Sequence, residues 1–188
     1  MNRTPDKISC IILAGGRGER AGGADKGLST YKGKPLIRYV IDKIGLQTDE
    51  IIISANRNLD VYSQYTNKVI SDSIDGYQGP LSGIASCLSH CKYERVLIVA
   101  CDMPSLPDDL AARLNEKLQD NDISIATVNH HHQLALLIKN NLSDSIQSRV
   151  NNNQLKFIEW VESLPHATVN FDDKADAFLN LNIITDDN

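Results

Sequence analysis

Apolar and polar positions along this chain fall into two alternating periods. Residues 8–13 read Ile-Ser-Cys-Ile-Ile-Leu, a nearly unbroken apolar run that suits a strand covered on both faces. Similar runs recur at 50–55 and 95–100, with a brief one at 68–71. Between them the period lengthens to that of a helix. Residues 35–44 set Leu36, Val40, Ile41 and Ile44 along one face behind Pro35, a favoured first-turn residue. Residues 80–91 do the same with Leu81, Ile84, Ala85 and Leu88, and 59–65 predicts a short helix. An amphipathic helix is expected over 108–118, with Asp108 and Asp109 near its positive N-terminus. Beyond it come two strands, 123–128 and 134–138, joined across 129–133, then helices at 142–150 and 155–161. A last strand at 168–171 leads into an extended tail through Asn182. Strands alternating with helices predict an α/β fold around a largely parallel sheet.

The length of 188 residues is enough for one well-buried core, so a single domain spanning 1–188 is expected, with 1–7 flexible. There is no internal repeat or low-complexity linker. No apolar run approaches the ~20 residues that span a bilayer. The polar start of the chain lacks a signal-peptide core, so a cytoplasmic protein is expected. The net charge of −5 argues against a nucleic-acid or membrane surface. Against that acidic background, Arg17, Arg20, Lys26, Lys32 and Lys34 crowd one stretch that holds only Glu19 and Asp25 in opposition. A small anionic ligand fits this local charge better than a long polyanion. The four cysteines form no C-x-x-C pair, which predicts free, mostly buried thiols rather than a zinc site.

That basic stretch directly follows the first strand and is rich in glycine: Gly15, Gly16, Gly18, Gly22, Gly23 and Gly27. Such glycines let backbone N–H groups approach a ligand closely, while the cations suit phosphate oxygens. The pattern is not a Walker A loop, because Lys26 is followed by Gly27-Leu28. Nor is it a dinucleotide fingerprint, since Ala21 stands where the third glycine belongs. Further polar residues sit where strands end: Asp72 after the brief 68–71 run, and Asp102 after 95–100. Ligands of open α/β sheets bind beyond these carboxyl ends, and an aspartate there suits Mg²⁺ shared with substrate phosphates. An ordinary turn-capping role stays open for both aspartates. Asn180 and Asn182, two apart in an apparently extended segment, would face one way; a strand-edge pair is the alternative.

Leu13-Ala14-Gly15-Gly16, Arg20 and Asp25-Lys26-Gly27 resemble the signature loop of nucleotidyltransferases with a glycosyltransferase-A-like fold. Within that group the chain resembles the bacterial molybdenum cofactor guanylyltransferases. The likeness continues through Gly33-Lys34-Pro35-Leu36, Ala55-Asn56-Arg57, Asp72-Ser73, Gly79-Pro80-Leu81-Ser82-Gly83, Cys101-Asp102-Met103-Pro104 and the 176–182 segment. The resemblance implies a Rossmann-like three-layer sandwich with a mixed sheet, of the nucleotide-diphospho-sugar transferase type. It implies transfer of GMP from GTP to molybdopterin, with Mg²⁺ as cofactor and with cofactor-handling proteins and apo-molybdoenzymes as partners. Lys26 would neutralise phosphate charge, Arg20 would hold the departing pyrophosphate, and Asp102 would bind the metal. Leu13, Ala14, Gly15, Gly16, Ser54, Asp72, Gly79, Pro80, Leu81 and Gly83 would contact the nucleotide, and Asn180 and Asn182 the pterin.

Three positions depart from the family pattern. Ala21 replaces a methionine, Ser54 stands in place of an asparagine, and the 154–156 segment offers only Lys156 where the family has an arginine pair. Paired Gly15-Gly16 with Gly83 favours guanine. A cytidylyltransferase for the same cofactor, a sugar-1-phosphate nucleotidyltransferase and a non-catalytic carrier remain as alternatives. The run His130-His131-His132 reads as a solvated hairpin turn rather than a metal site, and Trp160 as the buried face of a helix.

Overall fold

A computed structural model describes residues 6–16, 25–72 and 79–181. Nine strands and six α-helices are seen among them. In chain order they are β1 (Ile8–Leu13), β2 (Thr30–Tyr31), β3 (Lys34–Pro35), α1 (Leu36–Ile44), β4 (Glu50–Ser54), α2 (Leu59–Tyr62) and β5 (Val69–Ile70). There follow α3 (Pro80–Leu88), β6 (Arg95–Ala100), α4 (Leu110–Leu118), β7 (Ile123–Val128) and β8 (His131–Lys139). The last are α5 (Ser143–Asn151), α6 (Phe157–Glu162) and β9 (His166–Asn170).

Seven strands form one sheet in the order β5-β4-β1-β6-β8-β7-β9. Only β8 runs against its neighbours; β1, β4, β5, β6, β7 and β9 are parallel. The continuous apolar runs are explained by two cores. On one face Cys10, Ile12, Leu97 and Val99 pack with Ile37, Val40 and Ile44 of α1 and Leu110 and Leu114 of α4. On the other, Ile11, Ile52, Val96 and Ile98 meet Leu81, Ile84 and Leu88 of α3, Ile146 of α5, and Trp160 of α6. The result is the α/β fold that the alternating periods predict, in the three-layer form that the resemblance implies. No described helix is long and apolar enough to cross a membrane.

The differences from expectation are local. Pro35 ends the small β2–β3 ribbon and serves as the N-cap of α1 rather than its first turn. The tail is not extended throughout: residues 172–178 wind into 3₁₀ turns, and Phe178 stacks 5.1 Å from Phe171. The 129–133 connection is shorter than expected. Asn129 and His130 alone make the turn, both with positive φ, and His131 and His132 already belong to β8. Cys10, Cys87 and Cys101 are buried free thiols, as expected, and Cys91 is half-buried. Desolvation pushes both Cys87 and Cys91 up to about 12.

Candidate active site

The strand order reverses direction at β1: the chain goes first to β4 and β5 on one side, then to β6 on the other. A cavity of about 640 Å³ opens there, beyond the carboxyl ends of the parallel strands. Its floor comes from Leu13, Ala14, Gly15 and Gly16, just past β1, and from Ala100, Cys101, Asp102 and Met103, at and past the end of β6. The two segments stay paired beyond the strands, because Cys101 N–H donates to the Leu13 carbonyl at 3.1 Å, and Ala14 N–H ties the first of them to the end of β4 by donating to the Ser54 carbonyl at 2.8 Å.

Ser54, Asp72, Gly79, Pro80 and Gly83 form one wall. Gly79 has φ +80, a conformation that side chains rarely adopt, and it delivers the chain into the N-terminus of α3. Gly83 lets α3 press onto the sheet: a Cβ there would lie 2.6 Å from Ser54 Oγ and 3.1 Å from Leu13 Cδ2. Leu81 turns the other way and is fully buried in the α3 core, so its side chain does not line the cavity. Asn56 clamps Asp72, donating from Nδ2 to Oδ2 at 2.9 Å and accepting the Asp72 N–H at 2.8 Å. Asp72 Oδ1 is buried with no hydrogen-bond partner among the described residues. Burial pushes this carboxyl above its usual range, against hydrogen bonding from Asn56 and the nearby Ser82 hydroxyl.

Lys26 reaches the same cavity from a short 3₁₀ turn, and its Nζ lies 3.4 Å from Asp102 Oδ2. Asp25 fastens that turn. Its carboxylate accepts from Tyr62 at 2.5 Å and from Asn58 Nδ2 at 2.9 Å. Arg57 lies 4.0 Å from Asp25 Oδ2 and donates to the Gly16 carbonyl at 3.2 Å, so it joins the two chain segments that flank residues 17–24. Gly27 packs directly over the Tyr62 hydroxyl, where a Cβ has no room. Burial, then the bond to Asp25, pushes the Tyr62 hydroxyl far above its usual range, so it remains a donor. Sequence reading saw Asp25 and Arg57 only as motif letters; their joint role appears once residues 25, 57 and 62 are brought together.

The remaining wall is supplied by His132, Gln133 and Leu134 of β8 and by Asn180. Asn180 is held there because the next residue, Leu181, donates its N–H to the Asp102 carbonyl at 3.0 Å. His132 corrects the reading of the histidine run as a solvated turn: His130 and His131 are exposed, but His132 borders the cavity. Lys156, the cation that sequence reading offered to an anionic second substrate, instead pairs with Glu159 at 2.6 Å on the surface. Arg20 and Asn182, like Arg17 and Ala21, lie outside the described residues.

A glycine-lined cavity at the switch point, with a lysine and an aspartate meeting in it, is the arrangement of a nucleotidyltransferase, and comparison with known proteins narrows the class. Residues 10–165 match the model of the MobA-like NTP transferase domain, and the chain belongs to that family. The molybdenum cofactor guanylyltransferase of Shewanella putrefaciens is 37% identical over 183 residues, covering 96% of this chain and 94% of that protein. The protein of the same name from Shewanella frigidimarina is 38% identical over 179 residues, covering 94% and 91%. Among solved structures, molybdopterin-guanine dinucleotide biosynthesis protein A from Archaeoglobus fulgidus superposes with a TM-score of 0.76 at 21% identity, covering 93% of this chain and 92% of that one. A 4-diphosphocytidyl-2C-methyl-D-erythritol synthase from Anaerococcus prevotii gives 0.71 at 13% identity, covering 95% and 92%. These two likenesses show the shared fold.

Proposed function

We propose that this chain transfers GMP from GTP to molybdopterin or molybdenum cofactor, forming the guanine dinucleotide and releasing pyrophosphate. The observation that carries the reading is the meeting of Lys26 and Asp102 in a cavity whose adjoining floor is glycine backbone. An oxygen of the acceptor's terminal phosphate forms the new bond to the α-phosphorus of GTP. The bond from that phosphorus to the β-phosphate oxygen breaks in line. The acceptor is already anionic, so no protein nucleophile or base is required.

Each residue then has an electrostatic or steric task. The amides around Gly15 and Gly16 approach the phosphates, and Lys26 neutralises the charge that grows as the α-phosphorus is attacked. Arg20 takes the pyrophosphate side by family resemblance. Ser54, Gly79, Pro80 and Gly83 bound the space for base and ribose. Asp72, half-buried at the cavity wall, accepts from a nucleotide N–H or O–H through Oδ1. Asn180 and Asn182 take the pterin.

Among the described residues no three His, Cys, Asp or Glu side chains cluster to cage an ion. A lone buried aspartate fits Mg²⁺, which commonly takes one or two carboxylates and completes its shell with substrate phosphates and water. Asp102 would hold it, and when bound it would offset the negative charge of the triphosphate.

The test supplies purified protein with GTP, MgCl₂ and molybdopterin, and measures pyrophosphate together with guanine dinucleotide by chromatography. Stoichiometric formation of both is expected. Preferential turnover of CTP or of sugar phosphates would redirect the assignment, and binding without pyrophosphate release would favour a carrier.

A further inference from the structure

The cavity is asymmetric about Asp102. The residues assigned to GTP come from β1, β4, the segment after β5 and the start of α3, all toward one edge of the sheet. On the opposite side of β6 stands β8, and there the ladder is irregular. Ile125 pairs with Leu136, but the next pairing is Thr127 with His132, so two steps along β7 match four along β8. This irregularity falls where β8 borders the cavity. In a regular strand His132 and Leu134 would share a face and Gln133 would point away, yet all three border the cavity.

The pairing with β6 fixes where the bulge lies. Regular pairing with β6 runs from Arg95 with Lys139 to Val99 with Ala135, and His132 lies three residues beyond that last pair, in the irregular part of β8. His132 and Asp102 border the same cavity, His132 from β8, on the far side of β6 from the assigned nucleotide contacts. Lys156 pairs with Glu159 at the surface and does not border the cavity.

We propose that His132 positions the acceptor, donating a ring N–H hydrogen bond to its terminal phosphate, with Gln133 beside it on the acceptor wall. The inference rests on the GMP-transfer reading above and assigns the acceptor's subsite within it. The neighbouring turn at Asn129 and His130 closes the hairpin that carries His132.

His132→Ala and His132→Gln are compared with the wild type in two assays. In steady-state turnover, the alanine variant is expected to raise KM for molybdopterin at least tenfold while KM for GTP stays within twofold. Glutamine, which keeps a donor, should recover part of the loss. In direct titration without GTP, pterin fluorescence should report a similar loss of molybdopterin affinity in the alanine variant. An unchanged acceptor KM and affinity, or an equal loss of GTP affinity, overturns the assignment of His132. Because the titration needs no turnover, it judges His132 even if the wild type forms no guanine dinucleotide, an outcome that would sink the GMP-transfer reading instead.

Discussion

Asp102 and Lys26 are 76 positions apart in the chain and 3.4 Å apart in space. Replacing Asp102 with Asn keeps the shape and removes the charge that both Lys26 and a cation would meet. Turnover should fall by roughly a hundredfold or more, the scale of losing one electrostatic contact to a developing charge. Far-ultraviolet circular dichroism should be unchanged; retention of full pyrophosphate release would remove Asp102 from the mechanism. Tyr62 acts at one remove. Its hydroxyl holds Asp25 beneath the Lys26 turn, and Tyr62→Phe leaves that buried carboxylate short of a donor. A loss of about 1.5–3 kcal/mol in urea unfolding is expected, as for other hydrogen bonds to charged groups. A several-fold drop in kcat should accompany it if the turn loosens.

At the scale of elements, the approach of α3 to the sheet depends on the missing side chain at Gly83. Gly83→Ala would thrust a methyl to 2.6 Å from Ser54 Oγ. Overpacking of this kind costs about 1–3 kcal/mol. Ser54→Ala in the same chain removes the atom in the way, and the double variant should regain part of that stability in a thermal melt. Purely additive losses would place the strain elsewhere, for instance at Leu13. The start of β4 offers a separate test in pH. Burial alone would raise the Glu50 carboxyl, but bonds from Lys68, Ser9 and the Lys92 N–H outweigh it and leave it below its usual range. A carboxyl lowered in the folded state stabilises above its unfolded value of about 4.3, and that contribution fades as pH falls through the folded value. Glu50→Gln should therefore lower the melting temperature at pH 7, with the gap closing as the pH approaches 3.

The long elements were legible because burial on both faces imposes continuous apolar runs, as in β1 and β6, and one-sided burial imposes the helical period, as in α1 and α3. The two-residue strands β2, β3 and β5 are too short to display a period, although residues 68–71 hinted at the last. The 3₁₀ turns over 172–178 escaped because their order comes from Phe178 packing on Phe171, not from local spacing. In the site, glycines and strand-end aspartates were readable, since their chemistry is local. The side chain of Leu81 points into the core, as its place on the apolar face of the predicted helix indicated.

For the whole molecule, ligand binding and stability are one equilibrium. GTP with Mg²⁺ at a hundred times its Kd should stabilise the fold by about 2.7 kcal/mol, roughly 5–10 °C in melting temperature for a chain of this size. Chelator or Asp102→Ala should shrink that shift, and CTP should produce a smaller one. An equal shift from GTP without divalent metal would contradict the role of Asp102.

The order of apolar and polar residues was enough to determine the α/β class, the extent of its main strands and helices, and a phosphate-suited loop beside the first strand. These follow from interactions within a few residues, where periodicity and backbone freedom are written directly. Tertiary structure alone decided that Arg57 and Tyr62 would anchor Asp25, that Lys156 would turn to the surface, and that β8 would bring His132 to the cavity. Each depends on which distant segments become neighbours in the sheet, and register between strands far apart in the chain is set by packing of the assembled core.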